Sequence, residues 1–170
     1  MKRWLAGTVI FIVAVICLLF IPFSRALTFT ETRIDQPSMH YINLTDSTDF
    51  QIIFTHSIHL TDVVESYRVL PTKDIQLMSM KYSDVAIGMP GYAEEGQTLI
   101  YEDGIYTLSY DEAILQNFTL YIGDVDYDLK LQYMKQTIDL KKRLVRGKSY
   151  FIEVRNVSFY EKMKGVELYE

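Results

Sequence analysis

The chain has 170 residues, 49% of them apolar, with 17 Lys and Arg, 22 Asp and Glu, and one cysteine. That length holds one domain and a tether. The acidic balance excludes a phosphate-binding partner, so no nucleic acid is expected, and a single cysteine excludes a disulfide framework.

Met1-Lys2-Arg3 precedes WLAGTVIFIVAVICLLFIPF, Trp4 to Phe23, twenty residues without a charge. A membrane span needs about 20 apolar residues, whereas a secretory h-region runs to about 7–15. The run therefore reads as one N-terminal transmembrane helix, with residues 1–25 as anchor. Lys2 and Arg3 place the N-terminus inside and the rest outside. Ser24-Arg25-Ala26 offers small residues for signal cleavage, but the long run favours an uncleaved anchor. Cys17 follows Ile16, which is too large for a lipidation site, and reads as part of the span. Lys2, Arg3 and Arg25 are the only basic residues before Ala26, which leaves 14 Lys and Arg against 22 Asp and Glu beyond it, a net −8.

Residues 26–48 read as an irregular stalk, and 49–170 as an extracytoplasmic β domain. Strands are expected at Phe50–His56, Asp62–Leu70, Asp74–Tyr82 and Leu115–Ile122. IGMPGYAEEG, 87–96, reads as a long loop able to line a cleft. Asp103-Gly104 between two apolar runs predicts a two-residue type I′ hairpin. DVDYDLKLQY, 124–133, alternates with period two and reads as one strand. Arg146-Gly147 is expected to turn a hairpin between TIDLKKRLV and KSYFIEV. No segment after residue 26 shows a 3.6-residue period. The fold class is all-β, a sandwich or partly open barrel of about nine or ten strands.

FTHSIHLTDVVESYRV, Phe54 to Val69, concentrates the candidate chemistry. With Ile58–Thr61 as a four-residue loop, Ser57 opposes Asp62 and His56 opposes Val63. Glu65 is then diagonal to His56 on the same apolar row. Two ionisable groups there call for each other, because an unpaired buried charge costs several kcal/mol. A His56–Glu65 hydrogen bond is the expectation. Ser57 points to the other face of the strand, so His56 cannot activate it as a nucleophile. A metal site from His56, His59 and Asp62 or Glu65 is the weaker alternative.

Asp124-x-Asp126-x-Asp128 opens like a calcium loop, but Leu129 and Lys135 stand where Gly and Glu belong, so the aspartates read as a solvated face. LKKRLVRGK, 140–148, is a basic cluster suited to anionic headgroups or to an exposed hairpin. Asn43, Asn117 and Asn156 all lie in N-x-[ST] sequons, which matter only in a eukaryotic secretory setting.

His56-Ser57, then Glu65 on the next strand, then Gly88-Met89-Pro90 after another, resembles the bacterial domain of unknown function 1850 family over roughly residues 48–155. The family's glycine run before the proline is thinner here, with Gly88 alone. The resemblance implies no established activity and no cofactor. It implies a gene often found beside those for tripartite ATP-independent periplasmic (TRAP) transporters that use a TAXI solute-binding protein. The expectation is a non-enzymatic accessory domain on the outer face of a bacterial cytoplasmic membrane, with the permease or the TAXI protein as partner. The alternative is a small-ligand or metal-binding module. In either case His56, Ser57, Glu65, Gly88 and Pro90 form a polar corner, binding or structural.

Overall fold

The computed structural model describes residues 2–85 and 88–169, with the side chains of Lys2, Arg3, Leu5 and Ala6 left out. Ile87, which opens the expected 87–96 loop, lies outside the described residues, as does Glu170. Helix α1 covers Lys2–Leu19. It stops short of the expected Trp4–Phe23 run because Pro22 has no N–H and disfavours helical backbone at Ile21. Phe20 and Ile21 turn, and Pro22 enters a strand. No helix among the described residues is long and apolar enough to cross a membrane.

The expected irregular stalk is instead two strands, β1 at Pro22–Glu31 and β2 at Met39–Asn43. Four successive residues of β1, Ala26 to Phe29, are all buried. Burial on both faces erases the alternation by which a strand is read from sequence.

Ten more strands follow among the described residues: β3 Asp49–Thr55, β4 Asp62–Val69, β5 Ile75–Tyr82, β6 Gln97–Glu102, β7 Ile105–Leu115, β8 Asn117–Ile122, β9 Leu129–Tyr133, β10 Gln136–Asp139, β11 Lys148–Ser158 and β12 Val166–Glu167. Helix α2, Leu140–Arg143, and helix α3, Phe159–Lys164, complete the order. One sheet runs β12-β2-β1-β11-β8 and the other β10-β9-β3-β4-β5-β7-β6. The two are not closed into a barrel; they face each other as a sandwich. Leu27, Phe29, Ile42, Tyr150 and Ile152 of one sheet pack on Phe50, Ile52, Tyr67, Ile75 and Leu131 of the other.

Three details differ from the sequence reading. The 124–133 strand keeps only Leu129–Tyr133, while Asp126 and Asp128 sit in a loop, bound to Arg146 and Lys130 at 2.6 Å each. TIDLKKRLV does not pair with KSYFIEV, because β10 pairs with β9 and α2 follows at once. The expected Leu115–Ile122 strand breaks at Gln116, where the chain passes from one sheet to the other. The Asp103-Gly104 turn is as expected, both residues having positive φ, 51° and 81°, as a type I′ turn requires.

Strand directions give the sandwich two ends. One carries the foot of α1, and there the Arg25 guanidinium donates to the Leu70 carbonyl in the β4–β5 turn. The other end gathers the β3–β4 hairpin, the chain leaving β5, the β6–β7 turn and the segments 123–128 and 144–147. Eight residues of β4 separate the ends by about 26 Å.

Candidate functional site

Phe54, Val63, Glu65, Tyr67, Met80, Tyr82, Tyr106, Leu108 and Tyr110 lie on one face of the seven-stranded sheet. The ladders set this order: Ile52 opposes Glu65, Glu65 opposes Met80, and Met80 opposes Leu108. The half of this face nearer α1 is covered by the other sheet. Over the remaining half, Met89 lies against Val63, Met80, Tyr82 and Leu108. The Tyr82 hydroxyl donates to the Pro90 carbonyl and holds that loop down.

Glu65 sits where the two halves meet. Its Oε2 accepts a hydrogen bond from the Tyr67 hydroxyl at 2.6 Å, in the range of strong O–H···O⁻ bonds. The Tyr67 ring is clamped between Phe50 and Phe118, at 5.0 and 5.4 Å, so its hydroxyl is held in place from both sheets. Burial raises the Glu65 carboxyl above its ordinary range, and the Tyr67 hydrogen bond pulls the other way. Tyr67 is driven up strongly by burial and then by the charge on Glu65, and Tyr110 is raised by the same two causes in the same order. The corner is thus a carboxyl and two phenols in an apolar setting. It can accept or donate a hydrogen bond to a polar group that enters.

The expected His56–Glu65 pair is not made. The hairpin closes with His56 N–H on the Thr61 carbonyl at 2.8 Å, so His56 opposes Thr61 rather than Val63. That two-residue slip keeps His56 and Glu65 on one face but leaves them about 13 Å apart along the strands. His56 instead stacks on His59, ring centroids 5.8 Å apart, and its Nδ1 accepts from the Ile58 N–H at 3.4 Å. Ser57 is exposed in the turn, and Asp62 accepts from Thr55 at 3.4 Å. Among the described residues, no three His, Cys, Asp or Glu side chains gather as a metal set, so His56, His59 and Asp62 do not form one.

The family model for a domain of unknown function, DUF1850, matches residues 50–140, more than half of the chain. The chain belongs to the DUF1850 family. No curated protein and no solved structure matches it. The DUF1850 match begins one residue into β3 and ends one residue beyond β10, so it takes in the seven-stranded sheet, Asp49 apart, and β8. The corner around Glu65, with Gly88, Met89 and Pro90, lies entirely inside it.

Sequence reasoning missed Tyr67, Tyr82 and Tyr110. Tyr67 stands two residues from Glu65 in the same row, so its contact was visible in the period of a strand. Tyr110 was not, because its nearness depends on β7 pairing with β5. That pairing carries an irregularity in which Tyr110, Asp111 and Glu112 together span Met78.

Proposed function

We propose that this DUF1850 chain is a non-enzymatic accessory domain on the outer face of a bacterial cytoplasmic membrane. Its N-terminal segment tethers it, and its far end contacts a transport permease or that transporter's TAXI solute-binding protein. The tether rests on α1, where Val9, Ile10, Phe11, Ile12, Val13, Val15, Ile16 and Leu18 are all exposed. A helix apolar on every side belongs in a protein core or in lipid.

The observation that carries the partner contact is the far end itself. Ile58 and Leu60 stand 60% and 59% exposed at the hairpin tip, and Val85, Tyr101 and Ile105 are exposed along the same end of the sheet. Leu60 also has a left-handed backbone, φ 57°, which costs an L residue about 1–2 kcal/mol. Large apolar side chains kept in water together, one of them on strained backbone, support a contact surface at this end.

Affinity isolation of the tagged full chain from its native membranes tests this reading. The expected result is recovery of a permease or its solute-binding protein by the wild type and loss of it with Leu60→Asp. Retention of neither protein by the wild type would overturn the transporter assignment.

A second reading has its own support in the corner: Glu65, shielded from water beside Tyr67 and Tyr110, suits a ligand with a hydrogen-bonding group and an apolar body. Binding of such a ligand would move the Glu65 carboxyl resonance in an NMR titration. Its loss on Glu65→Ala with Leu60→Asp unaffected would separate this reading from the first.

A further inference from the structure

Helix α3 is short, but its first turn is tied firmly to the sheet. The Glu161 N–H donates to Ser158 Oγ at 3.2 Å and the Ser158 N–H donates back to Glu161 Oε2 at 2.7 Å, closing a capping box. The Arg155 guanidinium donates to the other oxygen of Glu161 at 2.7 Å. These contacts pin the helix against the outer face of the five-stranded sheet. Its other flank, Phe159 and Met163 four residues apart, is 47% and 60% exposed.

That flank continues into the foot of α1. Tyr160 lies against Phe20, ring centroids 4.7 Å apart, and Phe20, Ile21 and Phe23 are themselves exposed. The Lys162 ammonium donates to Ser24 Oγ at 2.7 Å and sits 5.6 Å from the Phe23 ring centroid. The Lys164 ammonium sits 4.8 Å from the Tyr160 centroid. Nearby acids are engaged elsewhere, Glu161 and Glu153 with Arg155 and Glu167 with the Asn43 amide. Among the described residues, Lys162 and Lys164 have no acidic partner. An acidic chain thus carries, at the foot of its apolar helix, the exposed aromatics Phe20, Phe23 and Phe159 beside two lysines that have no acidic partner among the described residues. That composition belongs to the headgroup level of a bilayer.

We propose that α3 and the foot of α1 form a collar that lies on an anionic lipid surface. Phe159 and Met163 enter the interface, and Lys162 and Lys164 meet the headgroup phosphates. The proposal rests on the tether reading and adds to it a fixed orientation, with the far end held away from the bilayer. The basic cluster 140–148 is not the lipid contact: it stands at that far end, with Arg146 on Asp126 at 2.6 Å and Lys142 on Asp139 at 3.2 Å.

The test uses the full chain in phosphatidylcholine vesicles with and without phosphatidylglycerol. An environment-sensitive fluorophore is placed at Met163→Cys, and separately at Leu60→Cys, both in a Cys17→Ser background. The probe at 163 is expected to shift to the blue and to be quenched by headgroup-level lipid quenchers, more so with phosphatidylglycerol. The probe at 60 stays in water. Lys162→Glu with Lys164→Glu abolishes the phosphatidylglycerol-dependent gain, while thermal melts confirm that the fold is kept. A water-like probe at 163 in protein that resists alkaline extraction overturns the collar and leaves the tether standing. Extraction of the protein by alkali overturns both.

Discussion

Glu65 gives up part of its water and, among the described residues, gains one hydrogen bond, from Tyr67 at 2.6 Å; its carboxyl is raised by that burial. The folded chain therefore holds this proton more tightly than the unfolded chain does. Stability from this preference is complete below the ordinary value of 4.5 and is lost as pH rises through the folded value. Glu65→Gln keeps an acceptor for Tyr67 and cannot ionise. Urea titrations should find it more stable than wild type by roughly 1 kcal/mol near neutral pH and no more stable in mild acid. A loss at neutral pH would show that Glu65 is held by a partner stronger than Tyr67. His40 tilts stability the other way. It is 9% exposed, edge-on to Tyr150 with centroids 6.0 Å apart, and its Nδ1 has no partner among the described residues. Burial lowers its pKa and Glu31 partly offsets this, so stability is complete above the ordinary 6.5 and declines as pH falls below it. His40→Phe keeps the ring contact and removes the titration. Its denaturation midpoint should fall less than that of the wild type between neutral pH and about pH 5.

Among the elements, α3 is the one whose seating turns on a single atom. A Cβ at Gly165 would stand 2.9 Å from the Met39 carbonyl oxygen and 3.2 Å from that of Glu161. Neither is a flexible side-chain end, so Gly165→Ala should destabilise the chain by about 1–3 kcal/mol, read as a lower thermal midpoint. Ser158→Ala removes the helix cap and should cost about 1 kcal/mol. Neither helix end was legible in the sequence, because six residues are too few to show a 3.6-residue period. The strands that were legible, β3, β4 and β5, each have one face in the core and one toward water, which writes the alternation into the chain. Where both faces are covered, as at Ala26–Phe29, the pattern vanishes and a strand reads as stalk. Turn chemistry carries further: Asp103-Gly104 names its own hairpin, whereas Arg146-Gly147 names a turn but not the strand on its other side.

Taken whole, the molecule has an apolar foot and, at its far end, exposed apolar residues such as Ile58 and Leu60 beside the ion pairs of Asp126 and Asp128, on an acidic body. The sandwich was legible in the strand alternation; that Met89 of the Gly88–Pro90 loop packs on Met80, the residue opposite Glu65, depends on strand pairing and was not. The partner of Glu65 was not, because a hairpin slip of two residues preserves every face while moving His56 beyond reach. The two-ended layout depends on strand order, which no local pattern encodes. It is also what the proposed accessory role requires, with lipid at one end and protein at the other. Site-specific photocrosslinking in native membranes tests that requirement most directly, with a photoreactive residue in place of Leu60 or of Met163. The account predicts a discrete adduct with a permease or its solute-binding protein from position 60 and adducts with lipid from position 163. Lipid adducts from position 60, or the protein adduct from position 163, would contradict it.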